Sequence, residues 1–583
     1  MATTPAGLGW LEAIAAATAP GQMFELVETD IRGVRTQVFK NAPAHLGQVF
    51  AMARGHGDKD FLVYQDERLS FTHTMDRVDA LTHALVERYG LKKGDRVAVA
   101  MRNYPEWCMS FAAILSVGGI SVSMNSWWKT EEMDYALRDS APKVLICDDE
   151  RYATGRPTCE ALGIRVLLVR SAQSAQSAQS PHSAQSAPSA SGADRWDDVV
   201  RVGNKPAPVD ISPDDDATIL YTSGTTGFPK GAVSTHRAII SALMAFSLRQ
   251  TVDGMRATTK LEPDPFPPSF ILIVPLFHVT GCVPVMMSCF VAGLKLVIMH
   301  KWEPETAMQL IEREKITNFV GVPTQSWDLV NHPAFPHYDL SSLRGIGGGG
   351  APAPTALVHK VAESFKQGGP QLGYGMTETN AFGPGNRGQD YVQRPTSTGR
   401  AVLPMRVEIR DDERNPLPAG QTGHIWMCGP MLIRGYWNQP AATAATIVDG
   451  WLSSGDIGRV DDEGFLYIED RAKDMILRAG ENVYGAEVEH AIYDHPAVHE
   501  AAVFGLPHER WGEEVAVAVY PKAGRAITAH ELWQFLDGKI AAFKVPSHVV
   551  VLAAPLPRNA AGKFLKRELR DRVVSGELTT THR

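Results

Sequence analysis

Eleven consecutive residues, Tyr221-Thr222-Ser223-Gly224-Thr225-Thr226-Gly227-Phe228-Pro229-Lys230-Gly231, concentrate four Ser/Thr hydroxyls, three glycines and a lysine. They stand between a β-like run, Ala217 to Leu220, and a helix-like run that begins near Thr235. Glycines let backbone N–H groups come close to an anion, hydroxyls donate further hydrogen bonds, and a lysine adds a compact positive charge, so the stretch is suited to phosphate. Many loops of this composition are only flexible surface. A strand-to-helix turn of an α/β sheet, however, is where ligands collect, and such a loop needs a sheet behind it. The Walker pattern requires Gly-Lys followed by Ser or Thr. Here Pro229 precedes Lys230 and Gly231 follows it, which disfavours a P-loop NTPase or kinase.

The surrounding pattern supplies that sheet. Val97 to Ala100, Ile120 to Ser123 and Lys143 to Cys147 read as strands, separated by helix-like runs from about Pro105 to Leu115 and from Thr130 to Leu137. This alternation predicts a largely parallel sheet with helices on both faces. Beyond the loop, Ile271 to Val274, Leu294 to Met299, Asn318 to Pro323, Leu343 to Ile346 and Gln371 to Gly373 continue the series, with a helix over Glu305 to Lys315. Several of these strands end in Gly- or polar-rich turns, so their ends are expected to converge on one crevice. Short strands and turns then take over, and Asp461 to Ile468 reads as a hairpin with Gly464 in its turn. From about residue 474 onward a small α+β unit is expected, with strands at Ala501 to Phe504 and Val515 to Tyr520. Thr528-Ala529-His530-Glu531 is a capping box for a helix with Leu532, Phe535, Leu536 and Ile540 on one face.

At 583 residues, 44% apolar and 21% charged, the chain is too long for one core and reads as a globular protein of at least two domains. A net charge of -8 gives no electrostatic footprint for nucleic acid. The six cysteines form no CxxC pair and no zinc spacing, which suits reduced, mostly buried thiols and a cytoplasmic location. The first 31 residues carry no Lys or Arg, so no export signal is expected. The thirty uncharged residues from Pro265 to Leu294 are long enough for a membrane span, yet Pro275, Gly281, Pro284 and His278 interrupt them, and a buried strand, turn and helix is the expectation. Ser171 to Gly192, built on Ser-Ala-Gln triplets, has too little apolar surface to offset its ordering entropy and is read as a surface insertion at 171–192.

The phosphate loop resembles, at every position, the signature of the adenylate-forming superfamily, which includes acyl-CoA synthetases, aryl-acid CoA ligases, nonribosomal-peptide adenylation domains and firefly luciferase. The resemblance runs from about residue 40 to about 570, with further blocks in the family's order: Phe277-His278-Val279-Thr280-Gly281, Gly347 to Ala351, Tyr374-Gly375-Met376-Thr377-Glu378, Ser454-Gly455-Asp456, Arg471-Ala472-Lys473 and Pro557 to Lys566. The resemblance implies an α/β fold: a large N-terminal domain (1–472) of mixed, mainly parallel sheets with flanking helices and a β-rich subdomain, then a small mobile α+β C-terminal domain (473–583) hinged at Lys473. It also implies roles. Thr222, Ser223, Gly224, Thr225, Thr226 and Lys230 bind the nucleotide's phosphates, Gly350, Ala351 and Tyr374 its adenine, Asp456 its ribose hydroxyls, and Arg471 ribose and phosphate. Thr377 meets the α-phosphate, Glu378 holds Mg²⁺ through hard oxygen ligation, and His278 lies beside the activated carboxylate. Lys563 matches the catalytic lysine, whereas Lys566 is read as an ordinary solvated side chain. Ala479, Gly480 and Glu481 stand where the family binds coenzyme A, although the common Gly-Gly-Glu-Asn form has Ala479 here, whose methyl would narrow the pantetheine tunnel.

The implied activity is that of an AMP-forming acid–thiol ligase: a carboxylic acid takes AMP from ATP, pyrophosphate leaves, and coenzyme A then receives the acyl group. A medium- or long-chain fatty acid is the first expectation for the acid and an aryl acid the second. The expected small-molecule partners are the acid, ATP with Mg²⁺, and coenzyme A, without nucleic acid or a transmembrane segment. A homodimer stays open. Two rivals remain: an adenylating enzyme that passes the acyl group to another acceptor, and a non-catalytic nucleotide binder. The first lacks a visible carrier domain, and the joint presence of Lys230, Glu378, Asp456 and Lys563 speaks against the second.

Overall fold

The computed structural model describes residues 7–171, 192–204, 207–222, 229–257, 264–351, 353–472, 474–478, 481–558 and 564–583. Two eight-stranded sheets form the frame. The first runs in the order Gly435–Tyr436, Gly231–Thr235, Asp216–Tyr221, Ile120–Ser123, Arg96–Ala100, Val144–Cys147, Arg165–Leu168, Asp194–Arg195. From Asp216–Tyr221 onward its strands are parallel, and helices Pro105–Ser116, Thr130–Ser140 and Asp149–Leu162 make three of the crossovers that parallel pairing requires. These strands are apolar on both sides because both sides are covered. Val97, Val99, Val144 and Ile146 face a core with Trp107 and Phe111, while Ala98, Leu145 and Cys147 face Met133 and Leu137.

The second sheet runs in the order Gly385–Arg387, Gly369–Gly373, Gly345–Gly349, Asn318–Gly321, Ser269–Leu272, Lys295–Ile298, Asp60–Tyr64, Glu67–Ser70, with its central six strands parallel. Phe61, Ile271, Val297 and Phe319 from this sheet share one core with the inner face of the first sheet and with helices Phe71–Glu87 and His236–Arg256. Pro265 to Leu294 is a strand, a turn, a π-helical segment Gly281–Met287 and the short helix Ser288–Ala292. Among the described residues no helix is long and apolar enough to cross a membrane. All six cysteines are free and buried.

Three expectations need correction. The phosphate loop is not a strand-to-helix turn: Gly231–Thr235 is itself a strand, antiparallel to Asp216–Tyr221, with Tyr221 opposite Gly231. The loop is therefore the tip of a hairpin, and the helix starts one strand later, where the Thr235 hydroxyl accepts the Ala238 N–H. Gly231 to Thr235 is buried along its whole length between two strands, so it shows no alternation that would betray it. The glycine run is likewise not a turn until its end, since Gly345–Gly349 pairs on both sides as a strand and only Gly350, at φ 77°, leaves it. Lys566 is not solvated: its Nζ lies 2.7 Å from Glu489 Oε1, with only 19% of the side chain exposed.

A third sheet holds Arg406–Arg410, Gly423–Cys428, Trp451–Val460, Ile447–Val448 and Leu466–Arg471, with Gly464 at φ 84° in the turn before the last of these. The fourth holds Glu481–Val483, Ile476–Arg478, Gly512–Pro521, His548–Val551, Thr581–His582 and Val498–His508. Helices Gly485–Tyr493 and Ala529–Leu536 cover one face of it through Val488, Ile492, Leu532 and Leu536, and Leu569 of helix Lys566–Val574 packs on the other. The capping box is present, with Glu531 N–H on the Thr528 hydroxyl at 3.2 Å and Thr528 N–H on the Glu531 carboxylate at 2.8 Å.

Candidate active site

Because Gly369–Gly373, Gly345–Gly349, Asn318–Gly321 and Ser269–Leu272 are parallel neighbours, the segments that leave their C-terminal ends start from one edge. Tyr374, Gly350, Val322 and the turn to His278 are those segments. Close backbone approaches shape them. A Cβ on Gly281 would stand 2.3 Å from the Pro275 carbonyl oxygen, one on Gly375 2.5 Å from that of Ala381, and one on Gly383 2.2 Å from that of Tyr374, so side chains are excluded at all three. Gly350 is exposed, and a Cβ there would meet nothing within 4 Å, which leaves room for a flat ligand beside the half-buried Ala351.

Two polar groups stand on this frame. In the first, Tyr436 Oη donates to Glu378 Oε1 at 2.7 Å, and Lys230 Nζ lies 4.9 Å from the centre of the Tyr436 ring. Burial and the Glu378 charge push the Tyr436 phenol well above its ordinary range, so it stays a donor. The Glu378 backbone is held too, its carbonyl accepting the Ile433 N–H at 2.9 Å. In the second group, Tyr374 Oη donates to Asp456 Oδ2 at 2.6 Å, and Arg471 Nε stands 3.3 Å from Asp456 Oδ1. Asp456 and Arg471 face each other across neighbouring strands.

The Thr222 N–H and hydroxyl both donate to the Lys230 carbonyl, at 2.9 and 3.3 Å, and close the neck of the phosphate loop. Tyr221 Oη braces that neck on Asp139 at 2.7 Å. Thr377 and Glu378 occupy a single 3-10 turn, after which Asn380 and Ala381 take left-handed φ angles of 52° and 61°. The His278 N–H donates to the Pro275 carbonyl at 3.1 Å, and its ring packs 5.3 Å from that of Phe277. Glu481 is exposed on a small hairpin opposite Arg478 and joins neither group. Ser223, Gly224, Thr225, Thr226, Lys473, Ala479, Gly480 and Lys563 lie outside the described residues.

Sequence reasoning missed three residues. Tyr436 fixes Glu378. Asn380 is buried and ties the Thr377 turn to the hairpin, accepting Ser234 Oγ at 2.9 Å, while its Nδ2 donates to the Met431 carbonyl at 2.9 Å. Arg249 is buried and donates to the carbonyls of Gly383, at 2.5 Å, and Arg400, at 3.3 Å, bracing the chain behind Tyr374. The one local signal was the Gly435-Tyr436-Trp437 cluster, an aromatic pair directly after a glycine.

A family model described as AMP-binding enzyme matches residues 49–437, and one described as AMP-binding enzyme C-terminal domain matches residues 487–563. The chain is 32% identical over 531 residues to a long-chain-fatty-acid–CoA ligase of Bacillus subtilis, covering 88% of this chain and 91% of that one. It is 33% identical over 510 residues to a feruloyl-CoA synthase of an Amycolatopsis species, covering 86% and 94%. Among solved structures, ATP-bound MatB from Rhodopseudomonas palustris superposes with a TM-score of 0.78 at 28% identity, over 90% of this chain and 98% of that one. The family models and the likeness to CoA ligases over about nine-tenths of the chain agree, and the chain belongs to the AMP-binding enzymes as an acyl-CoA synthetase, an AMP-forming acid–thiol ligase.

Proposed function

We propose that the enzyme activates a medium- or long-chain fatty acid, with residues 1–472 holding the nucleotide and residues 473–583 turning about Lys473 between two half-reactions. The observation that supports this most is the arrangement of Lys230, Tyr436 and Glu378 with Tyr374, Asp456 and Arg471 beside one row of strand ends. In this reading the Tyr374 ring covers the adenine beside Gly350 and Ala351. Asp456 accepts the ribose hydroxyls, and Arg471 reaches ribose and phosphate. Thr222, the loop from Ser223 to Thr226 and Lys230 hold the outer phosphates.

A carboxylate oxygen of the acid attacks the α-phosphorus, the bond to the bridging oxygen breaks, and pyrophosphate departs with that electron pair. Charge growing on the phosphoryl oxygens meets the Thr377 hydroxyl and the Lys563 ammonium. The donor set fits Mg²⁺: Tyr436 takes one oxygen of Glu378, and among the described residues no hydrogen bond or ion pair occupies the other. Bound there, Mg²⁺ neutralises part of the phosphate charge. In the second half-reaction the coenzyme A sulfur attacks the acyl carbon, AMP leaves, and the thiol proton passes to solvent. Ala479, Gly480 and Glu481 line its approach, and His278 stays beside the carboxylate.

In this reading the acid's tail lies along residues near His278, Gly321 to Thr324 and the side-chain-free Gly347 to Gly349, a path without a charged anchor. The likeness to a feruloyl-CoA synthase supports an aryl acid as the second reading. Pyrophosphate release and thioester formation measured with ATP, coenzyme A and octanoate, palmitate or ferulate separate the two. The first reading expects the highest kcat/KM with a fatty acid. Preference for ferulate transfers the assignment to the aryl acids, adenylate without thioester points to another acceptor, and no pyrophosphate with any acid defeats the proposal.

A further inference from the structure

Far from the crevice in sequence, the fourth sheet carries a cluster that the ligase reaction does not use. Gly512–Pro521, His548–Val551 and Thr581–His582 are successive neighbours in that sheet. Ala516 stands opposite His548, and His548 opposite His582. Side chains two residues apart on a strand share a face, so Glu514, two before Ala516, points to the same side as both histidines. Glu514 Oε2 lies 2.9 Å from His548 Nε2 and 3.7 Å from His582 Nε2, and one ligand atom from each of the three residues falls within 4.8 Å of the others. The carboxylate is only 5% exposed, whereas the His582 side chain is 58% exposed and leaves one side of the cluster open to solvent.

We propose that Glu514, His548 and His582 form a binding site for a Zn²⁺-class divalent ion. With metal–nitrogen and metal–oxygen bonds of about 2.0–2.2 Å, tetrahedral ligands stand roughly 3.3–3.6 Å apart. The two separations from Glu514, 2.9 and 3.7 Å, bracket that spacing, and all three ligand atoms lie within 4.8 Å of one another, so the ion would draw the set together over a short distance. His548 Nδ1 is engaged by Thr580 Oγ1 at 3.2 Å, the outer hydrogen bond that aims the opposite ring nitrogen of a metal-bound histidine. Two imidazoles and one carboxylate select a borderline ion over Mg²⁺, which demands an octahedral oxygen shell, so this site and the Mg²⁺ reading at Glu378 do not compete for one ion. Its consequence is local. The two-residue strand Thr581–His582 is held by two residue pairs to His548–Val551 and by the Arg583 N–H on the Ser547 carbonyl, and the ion would staple it to that strand and to Gly512–Pro521 beyond it.

The test uses the full-length chain without an affinity tag, stripped by chelator and exchanged into metal-free buffer, with Co²⁺ as the probe. One equivalent should produce the visible ligand-field bands of a four-coordinate Co²⁺ ion, Zn²⁺ should bleach them, and excess Mg²⁺ should not. His582→Ala removes an exposed side chain, so the fold is kept. It should match the wild type in metal-free Tm, lose the Tm rise that Zn²⁺ gives the wild type, and weaken binding at least about tenfold. Glu514→Gln should do the same to binding, and pyrophosphate release by His582→Ala should be unchanged. Absence of the bands, or equal Co²⁺ affinity in wild type and both variants, would overturn the site and reduce the cluster to a carboxylate hydrogen-bonded to histidine.

Discussion

Glu378 and Asp456 each receive a tyrosine hydroxyl, at 2.7 and 2.6 Å, from the same frame of sheets that carries them. Asp470, one residue before Arg471, is held differently, for it accepts the N–H of Gly485 at the start of the helix Gly485–Tyr493 on the fourth sheet, next to the Lys566–Glu489 ion pair. A neutral donor fixes a carboxylate without cancelling its charge, so Glu378 is oriented and keeps its charge, whereas Asp456 also faces the Arg471 guanidinium at 3.3 Å. Asp470 also accepts a neutral N–H, but burial raises its carboxyl towards the protonated form, so the contact it makes across the junction responds to protonation. The two tyrosine-held carboxylates thus lie among the first three sheets, and the contact to the fourth sheet rests on a group whose charge can change.

The largest test of this division is Lys563→Ala. If the second part supplies the charge that completes the crevice, acid-dependent pyrophosphate release should fall about 100-fold or more. Thioester formation from supplied acyl-adenylate and coenzyme A should persist. Equal loss in both half-reactions would mean that the two parts do not divide the work.

Asp470 gives the next effect. Burial pushes its carboxyl from an ordinary 3.8 up to about 6, against the pull of Lys566 and the N–H groups of Arg471 and Gly485, while Glu489 adds to the rise. A carboxyl raised in the folded state keeps its proton longer than the unfolded chain does. Its contribution is therefore full below pH 3.8 and is lost as pH climbs to about 6. That loss amounts to about 3 kcal/mol at most. Between pH 4 and about 6 the denaturant midpoint of the wild type should fall relative to that of Asp470→Asn, and the two should run parallel above that. Parallel curves throughout would mean that Lys566 keeps the carboxylate ionised.

How far such features were legible follows from where their partners lie. The parallel strands could be read because Val97 to Ala100 and Val144 to Cys147 are short apolar runs between helical ones. The strand after the phosphate loop could not, since Gly231 to Thr235 is small, buried on every residue and without period. The blocks proposed to hold the nucleotide were visible as contiguous motifs, but the side chains that fix them come from afar. Tyr436 is 58 residues from Glu378, Ser234 is 146 from Asn380, and Arg249 is 134 from Gly383. Lys566 was misread for the same reason, because a local pattern cannot announce Glu489 across the fold.

Tyr436→Phe sharpens the claim about neutral donors. The ring that Lys230 faces remains, and only the hydrogen bond to Glu378 goes. A bond to a charged group is worth about 1.5–3 kcal/mol, so pyrophosphate exchange should drop about tenfold or more, with a higher Mg²⁺ concentration needed for half-maximal rate. An unchanged Mg²⁺ requirement would separate Tyr436 from the ion.

The smallest effect probes the second region alone. Thr528 and Glu531 cap a helix whose Leu532 and Leu536 pack in the core of the fourth sheet, a core that shares no buried residue with the main one. Thr528→Ala removes one acceptor at the first turn and should cost about 1 kcal/mol. If the fourth-sheet unit is held to the rest mainly by contacts such as that of Asp470, calorimetry should show two transitions, with only the one assigned to this unit moving down. Pyrophosphate release at temperatures below both transitions should not change. A single transition that shifts as a whole would mean that the junction couples the two cores far more tightly than a hinged domain allows, because the energy of a remote cap would then be felt throughout the crevice.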